Sequence, residues 1–156
     1  MAASFIEYKQ KGYWIPDGFI ALVARYIEVE IRNDVNCPKW IKFSAIHLKE
    51  VALEHCPGWA SLNLDKNLTT EKRKNEYIKV LNMTISSLKK KGPLITLSEL
   101  QNQADKEFST KWTQGILTDN LIAIIIRIIK LIEGKDGYNV KDNVYLTVID
   151  PPSLNN

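Results

Sequence analysis

The side chains with the clearest chemical potential lie near residue 50. His47, Glu50 and Glu54 recur at i, i+3 and i+7, a spacing that places them on one face of a helix, and His55 follows directly. Such a face could hold a metal ion or pair an acid with a base. Structural metal sites usually need about four ligands, and the sequence offers no further cluster of Cys and His. The pattern therefore predicts a solvated helix face, with no metal, no cofactor and no catalytic residue.

The two cysteines offer no nucleophile. Cys56 and His55 are neighbours only along the chain, because consecutive helical residues do not face each other. Cys37 and Cys56 flank a predicted helix of about 18 residues, which would hold them roughly 27 Å apart, far beyond the reach of a disulfide. Neither cysteine belongs to a CxxC motif. We therefore expect two inert thiols and a protein that is not an enzyme.

Positive charge is concentrated in one segment. Residues 65–91 carry eight basic and three acidic side chains, a local charge of +5, on a chain whose net charge is +3. Nucleic-acid binding needs such clusters, usually with aromatic rings for stacking, but the one aromatic here, Tyr77, falls on the apolar face of its helix. A helical nucleic-acid-binding protein using residues 66–91 is the alternative function. The basic residues are Lys66, Lys72, Arg73, Lys74, Lys79, Lys89, Lys90 and Lys91.

These side chains must be positioned by a core, and the most apolar stretch of the chain identifies its centre. Ten of the twelve residues from 121 to 132 are Leu, Ile or Ala. Residues 118–120 supply helix-capping chemistry and Gly134 a helix stop, so the stretch predicts a central helix over 118–133. At roughly 18 Å the apolar run is too short to cross a hydrocarbon core of about 30 Å. Its polar stripe, Asn120, Arg127 and Lys130, is expected to face water.

Apolar residues recurring at three and four predict further helices over 17–33, 38–55, 70–90 and 96–106. Asp17 is the expected cap of the first helix, and Thr96 with Glu99 forms a capping box for the last. Residues 138–149 alone have β character, as a hairpin turning at 142–143 or as an extended tail on the helices. The predicted fold is mainly α: residues 1–156 form a single-domain bundle of about five helices around the central helix, with a minor C-terminal β element. Residues 1–12 and 150–156 are expected to be loose ends.

Three stretches resemble small helical immunity proteins of bacterial polymorphic and contact-dependent growth inhibition toxin systems. They are residues 13–22 (YWIPDGFIAL), the Pro38-x-Trp40 opening of the second helix, and residues 64–73 (LDKNLTTEKR). The likeness spans residues 13–90 and consists of hydrophobic and turn patterning. It implies a non-enzymatic cytoplasmic protein that binds one cognate toxin domain tightly and neutralises it. The N-terminal sequence lacks the features of a signal peptide, which also predicts a cytoplasmic protein that does not associate with a membrane.

A binder of this kind needs a rigid scaffold, aromatic anchors and charged side chains that steer association. Tryptophans in loops either plug the core or anchor a partner, and Trp59 and Trp112 both fall in predicted loops. The predicted partner-binding residues lie in the 59–73 segment and just before the central helix: Trp59, Asp65, Glu71, Arg73 and Trp112. The sequence leaves open which toxin is bound and whether the chain forms oligomers.

Overall fold

Helices dominate residues 2–102 and 110–148, the part of the chain that the computed structural model describes. Six α-helices and two small antiparallel sheets are present there, so the predicted mainly-α class is confirmed. In chain order the elements are β1 (Ala3–Tyr8), β2 (Lys11–Pro16), α1 (Asp17–Asn33), α2 (Lys39–Ala52), α3 (Leu64–Asn67), α4 (Glu71–Lys90), β3 (Leu94–Ile95), α5 (Leu97–Asn102), β4 (Ile116–Leu117) and α6 (Thr118–Ile132). Strand β1 pairs with β2, and β3 pairs with β4.

The central helix is α6, which packs against α4, α1 and β1. Leu121, Ile125 and Ile128 are among its fully buried side chains. The helix ends as predicted, because Gly134 adopts the left-handed conformation (φ +74°) and donates its N–H to the carbonyl of Leu131 at 3.1 Å. Thus the prediction of an apolar central helix with a glycine stop is confirmed.

The polar stripe of α6 does not meet water as expected. Asn120 is buried, and Arg127 is half-buried in an ion pair with Asp136 at 2.9 Å. The guanidinium of Arg127 also lies 4.8 Å from the ring centre of Tyr13, a cation–π contact with β2. Only Lys130 of the three stripe residues is exposed. The helix is therefore covered on this side by the N-terminal sheet, which the sequence pattern did not predict.

Helices α1 and α2 differ in how well they match expectation. Helix α1 has the predicted bounds, but Pro16 occupies the capping position and Asp17 turns its carboxylate elsewhere. Helix α2 ends at Ala52, earlier than predicted, and Glu54 then takes a positive φ of 57°. Phe43 and Ile46 are among the apolar residues from which this helix was predicted and were expected to face the core, but Phe43 is 77% exposed and Ile46 64% exposed.

The remaining helices follow their capping residues. Thr70 accepts a hydrogen bond from the N–H of Arg73 and begins α4, as predicted. Thr96 accepts from the N–H of Glu99 at 3.2 Å and begins α5. The carboxylate of Glu99 does not serve a reciprocal capping box but accepts hydrogen bonds from the Tyr26 hydroxyl (2.9 Å) and the Lys91 ammonium (2.7 Å). The predicted continuation of this helix to 106 lies outside the described residues.

The β hairpin lies at the other end of the chain from where it was predicted. Instead of a loose end at residues 1–12, strands β1 and β2 form a hairpin in which Ala3 pairs with Pro16 and Tyr8 with Lys11. Its two turn residues, Lys9 and Gln10, both have positive φ. The side chains of Ile6, Tyr8, Tyr13 and Ile15 are buried. The hairpin is thus a structural wall of the core.

The described part of the C-terminal segment, residues 138–148, does not form a hairpin, and its backbone pairs with β2. Gly12 and Tyr138 exchange both backbone hydrogen bonds (2.8 and 3.0 Å), and the N–H of Leu146 donates to the carbonyl of Trp14 at 2.9 Å. A single turn of 3₁₀ helix, Val140–Asp142, lies between these contacts. Residues 150–156, the other predicted loose end, lie outside the described residues. In the described part of the chain, no helix has both the length and the apolarity to cross a membrane.

Candidate partner-binding surface

Trp59 is presented to solvent by a short connection between α2 and α3. It is 88% exposed, the highest value among the large apolar side chains of the described residues. Its own N–H donates to the carbonyl of Cys56 at 3.0 Å, closing a turn. Gly58 lies at a positive φ of 76°, a conformation that a residue with a Cβ adopts at a cost. The backbone therefore fixes the point from which the indole projects.

The backbone on both sides of Trp59 is held by two buried side chains. The carboxylate of Asp17 accepts hydrogen bonds from the N–H of Gly58 (2.6 Å) and from the hydroxyl of Ser4 (2.7 Å). The same Ser4 oxygen accepts from the N–H of Ala60 at 2.9 Å. Ser4 and Asp17 are both buried. Since they lie at the start of β1 and of α1, these bonds tie the loop to two rigid elements, and we call the pair the Ser4–Asp17 clamp.

The outward face of α2 lies beside this loop. His47 contacts the carbonyl oxygen of Ser61 through Nε2 at 2.7 Å, which joins the helix to the segment that follows Trp59. Phe43 is one turn before His47, and Ile46 is three residues after Phe43, so all three share a face of the helix. We refer to Trp59, Phe43, Ile46 and His47 as the Trp59 face. The His47–Ser61 contact places this helix face beside the segment that follows Trp59, and exposed apolar groups on one surface are characteristic of interaction sites.

Two of the predicted contact residues carry exposed charge with partners in the chain. Asp65, at the start of α3, accepts a hydrogen bond from the N–H of Lys9 at 2.9 Å and so supports the turn between β1 and β2. Glu71, in the first turn of α4, forms an ion pair with Lys74 at 2.9 Å. This pairing lowers the pKa of Glu71, chiefly through the hydrogen bond from Lys74. Both carboxylates remain accessible to solvent.

The other two predicted contact residues pack against aromatic rings. Arg73 lies over the ring of Trp40, 4.8 Å from its centre, and donates to the carbonyl of Asn67 at 3.3 Å. Trp112 is partly buried and meets Phe19 edge to face, with 5.4 Å between ring centres. Of the five predicted positions, Trp59 therefore presents its ring to solvent, whereas Arg73 and Trp112 are partly committed to the fold.

The residues considered for metal binding or catalysis are dispersed. His55 contacts Glu50 through Nδ1 at 2.7 Å, whereas His47 contacts the carbonyl of Ser61. Glu54 accepts hydrogen bonds from the backbone N–H and the hydroxyl of Thr110. Within residues 2–102 and 110–148, no group of three or more His, Cys, Asp or Glu side chains is placed to hold a metal ion. His47 and Glu54 thus each join their own segment to a part of the chain that is more distant in the sequence.

The basic segment is partly neutralised within the fold. Lys91 pairs with Glu99 at 2.7 Å and lies over the ring of Tyr26, and Lys74 is paired with Glu71. Arg73 is stacked on Trp40. The members of the segment that are exposed to solvent are Lys66, Lys72, Lys79, Lys89, Lys90 and Lys91.

Sequence reasoning missed the α2 side of the surface and both residues of the clamp. Phe43 could have been found, because on a helical wheel it lies far from the arc shared by the buried Ile41 and Leu48. Ser4 and Asp17 gave no such signal, since their partners are distant in the sequence. Comparisons of the chain with protein-family models, curated proteins and solved structures found no match.

Proposed function

We propose that this chain is a non-enzymatic protein-binding module that docks its partner on the Trp59 face. The observation that carries the proposal is an indole 88% exposed on a backbone held from both sides by the Ser4–Asp17 clamp. Tryptophan is enriched among the residues that dominate binding energy. A loop already fixed in its bound conformation loses little entropy on association. Exposure of Trp59 gives the fold nothing, so a partner is the simplest reason for the arrangement.

We further propose that the partner is a bacterial toxin domain and that this chain is its immunity protein, acting in the cytoplasm. The resemblance of residues 13–90 to immunity proteins supports this choice. Neutralisation by binding requires a tight complex but no chemistry in the binder, which fits a surface built from aromatic and apolar side chains. The exposed carboxylates of Asp65 and Glu71 would act at the edge of such an interface, where charge affects the association rate more than affinity.

Co-expression with the product of the adjacent upstream gene tests this function. We expect the two proteins to copurify as one species on gel filtration, and growth arrest by the second protein to be relieved by the first. Substituting Trp59→Ala together with Phe43→Ala should abolish both effects. Val140→Ala is the control, because Val140 is also an exposed apolar residue but lies in the C-terminal segment. A double variant that still copurifies and still protects growth would disprove the Trp59 face as the docking surface.

Nucleic-acid binding is the second candidate, favoured by the exposed lysines along residues 66–91. It predicts retardation of a labelled oligonucleotide at low salt that disappears as ionic strength rises. Reversing Lys72→Glu and Lys79→Glu should remove this retardation if the segment is responsible. The absence of any retardation by the unsubstituted chain at low salt would eliminate this function.

A further inference from the structure

A groove runs between α1 and α2, next to the Trp59 face. It consists of two adjoining hollows of ≈ 370 and ≈ 390 Å³, which share Glu28, Arg32 and Lys49 as lining residues. Ile46, a member of the Trp59 face, also lines the second hollow. A partner seated on the Trp59 face would therefore reach the groove without a break in the contact.

The groove is strongly basic. Arg25, Arg32, Lys42 and Lys49 line it, against the single acid Glu28. Glu28 pairs with Arg32 at 3.3 Å, so three cations remain. Within the described ranges, none of these three has an ion-pair partner. The residues that line the groove therefore carry a net charge of +3.

Among the cations of the groove, Arg25 shows the lack of a partner most clearly. Its Nη1 atom is buried and has no hydrogen-bond partner among residues 2–102 and 110–148. Burial lowers the pKa of the Arg25 guanidinium below its ordinary value. The carboxylates of Glu54 and Glu99 attract the Arg25 guanidinium through space, but each accepts its hydrogen bond from another residue, Glu54 from Thr110 and Glu99 from Tyr26. A buried guanidinium donor without an acceptor is costly. Because the Arg25 side chain also lines the first hollow, a carboxylate from another molecule placed there would stabilise its charge.

The walls of the groove add an apolar requirement. Val29, Ala45 and Ile46 contribute aliphatic surface between the cations. Such a lining favours a ligand that carries both apolar groups and carboxylates. An inorganic anion would satisfy the cations but leave the aliphatic surface uncovered.

We propose that the α1–α2 groove receives an acidic, amphipathic segment of the protein partner, with a carboxylate of that segment on Arg25 and further acids facing Lys42 and Lys49. The inference rests on the proposed protein-binding function for the existence of a partner, and it adds the chemistry that the partner must present. Carboxylate–guanidinium pairs with two parallel hydrogen bonds also fix orientation, so the groove would set the register of the complex while Trp59 anchors it.

Peptide display tests the groove without requiring the partner itself. A library of random linear peptides is selected against the full chain, and an enriched peptide is synthesised with a fluorescent label for anisotropy titration. We expect enriched peptides to combine several Asp or Glu residues with large apolar residues. The double charge reversal Lys42→Glu with Lys49→Glu should weaken binding of the labelled peptide by about tenfold or more, since like charges would then oppose each other.

The matched control is Lys89→Glu with Lys90→Glu, which makes the same change in net charge at the exposed end of α4. It should leave peptide affinity within about twofold of the unsubstituted chain, because neither Lys89 nor Lys90 lines the groove. Arg25→Met provides a further variant that keeps the aliphatic stem while removing the unpaired donor. Its expected effect is also a loss of peptide affinity, and its circular dichroism spectrum should match that of the unsubstituted chain.

Enrichment of peptides without acidic residues, or equal affinity of the groove and control variants, would overturn the proposal. Displacement of the labelled peptide by inorganic phosphate or by a single-stranded oligonucleotide would also overturn it, as evidence for a phosphate site. The two proposals fail in different ways. If Trp59→Ala weakens the complex with the upstream gene product while the groove variant leaves it intact, the groove inference fails and the protein-binding function stands.

Discussion

Removing the carboxylate of Asp17 should loosen the loop that presents Trp59 and lower the free energy of unfolding. Asp17→Ala deletes two hydrogen bonds, from Ser4 and from Gly58, both to a buried charged acceptor. Bonds to charged groups contribute about 1.5–3 kcal/mol each, and part of this is offset because a buried carboxylate no longer has to be desolvated. We expect a net loss of about 3 kcal/mol, and about 2 kcal/mol for Ser4→Ala, which deletes two bonds of its hydroxyl.

The double variant makes the prediction specific. The Ser4–Asp17 bond is lost in either single variant, so the sum of the two single losses counts it twice. The double variant should therefore lose about 1 kcal/mol less stability than that sum. Urea unfolding followed by circular dichroism measures all three values. Asp119→Ala is the control, since Asp119 is also an acid in the first turn of a helix but is exposed, and the helix dipole alone is worth about 0.3–1 kcal/mol.

Hydrogen exchange measures the consequence for the loop. The amide protons of Gly58 and Ala60 should exchange slowly in the unsubstituted chain and much faster in Asp17→Ala, while amides of α6 keep their protection at equal global stability. Losses below about 0.5 kcal/mol in both single variants would refute the clamp, because that is the range of ordinary surface substitutions. Fully additive losses would refute the direct coupling of Ser4 and Asp17.

Three further predictions concern the core. Tyr77→Phe should stabilise the chain by about 1 kcal/mol, because the Tyr77 hydroxyl is buried without a hydrogen-bond partner in the described ranges. Burial also raises the pKa of Tyr77 above its ordinary value of about 10. The stability that comes from this shift should therefore be fully present below pH 10 and fall as pH rises further. Urea unfolding at pH 7 and pH 11 should show a smaller fall in stability for Tyr77→Phe than for the unsubstituted chain. Gly12→Ala should lower the free energy of unfolding by about 3 kcal/mol or more, as measured by thermal unfolding, because a Cβ there would lie 1.9 Å from the carbonyl oxygen of Ile6. A loss of less than about 1 kcal/mol would contradict this close packing. A thiol reagent should modify Cys56 first, because Cys37 is buried and burial raises the pKa of its thiol; equal rates would contradict this.

The helices were predictable because their signals are local. Helix α1 has the predicted bounds and α4 and α6 end within a residue or two of theirs, since apolar spacing and terminal residues such as Thr70 and Gly134 act over a single turn. The N-terminal hairpin carried the alternation of buried Ile6 and Tyr8 with exposed Glu7, but its turn residues lack the Asn-Gly or Asp-Gly pair that usually marks such a turn. Part of the segment predicted to have β character, residues 138–149, does form β bridges. Its partner is β2, and local sequence patterns do not specify which strand a segment will pair with.

The surface was less predictable than the fold. Trp59 was identified because an isolated tryptophan in a loop has few explanations. Asp65, Glu71 and Arg73 are charged residues near it in sequence, yet each makes an intramolecular contact that only the folded chain reveals. The bonds of Asp17 join residues 13 and 41 positions apart, and composition or periodicity contains no information about such pairs.

The most direct test of a binding role for the Trp59 face is a paired measurement on Trp59→Ala. Calorimetry of the complex with the upstream gene product should show a loss of affinity of about 30-fold or more, the range of a dominant interface residue. Urea unfolding of the same variant should match the unsubstituted chain within about 0.5 kcal/mol, because Trp59 is 88% exposed and supports little of the fold. Unchanged affinity, or a loss of affinity that accompanies an equal loss of stability, would contradict the proposed role of Trp59.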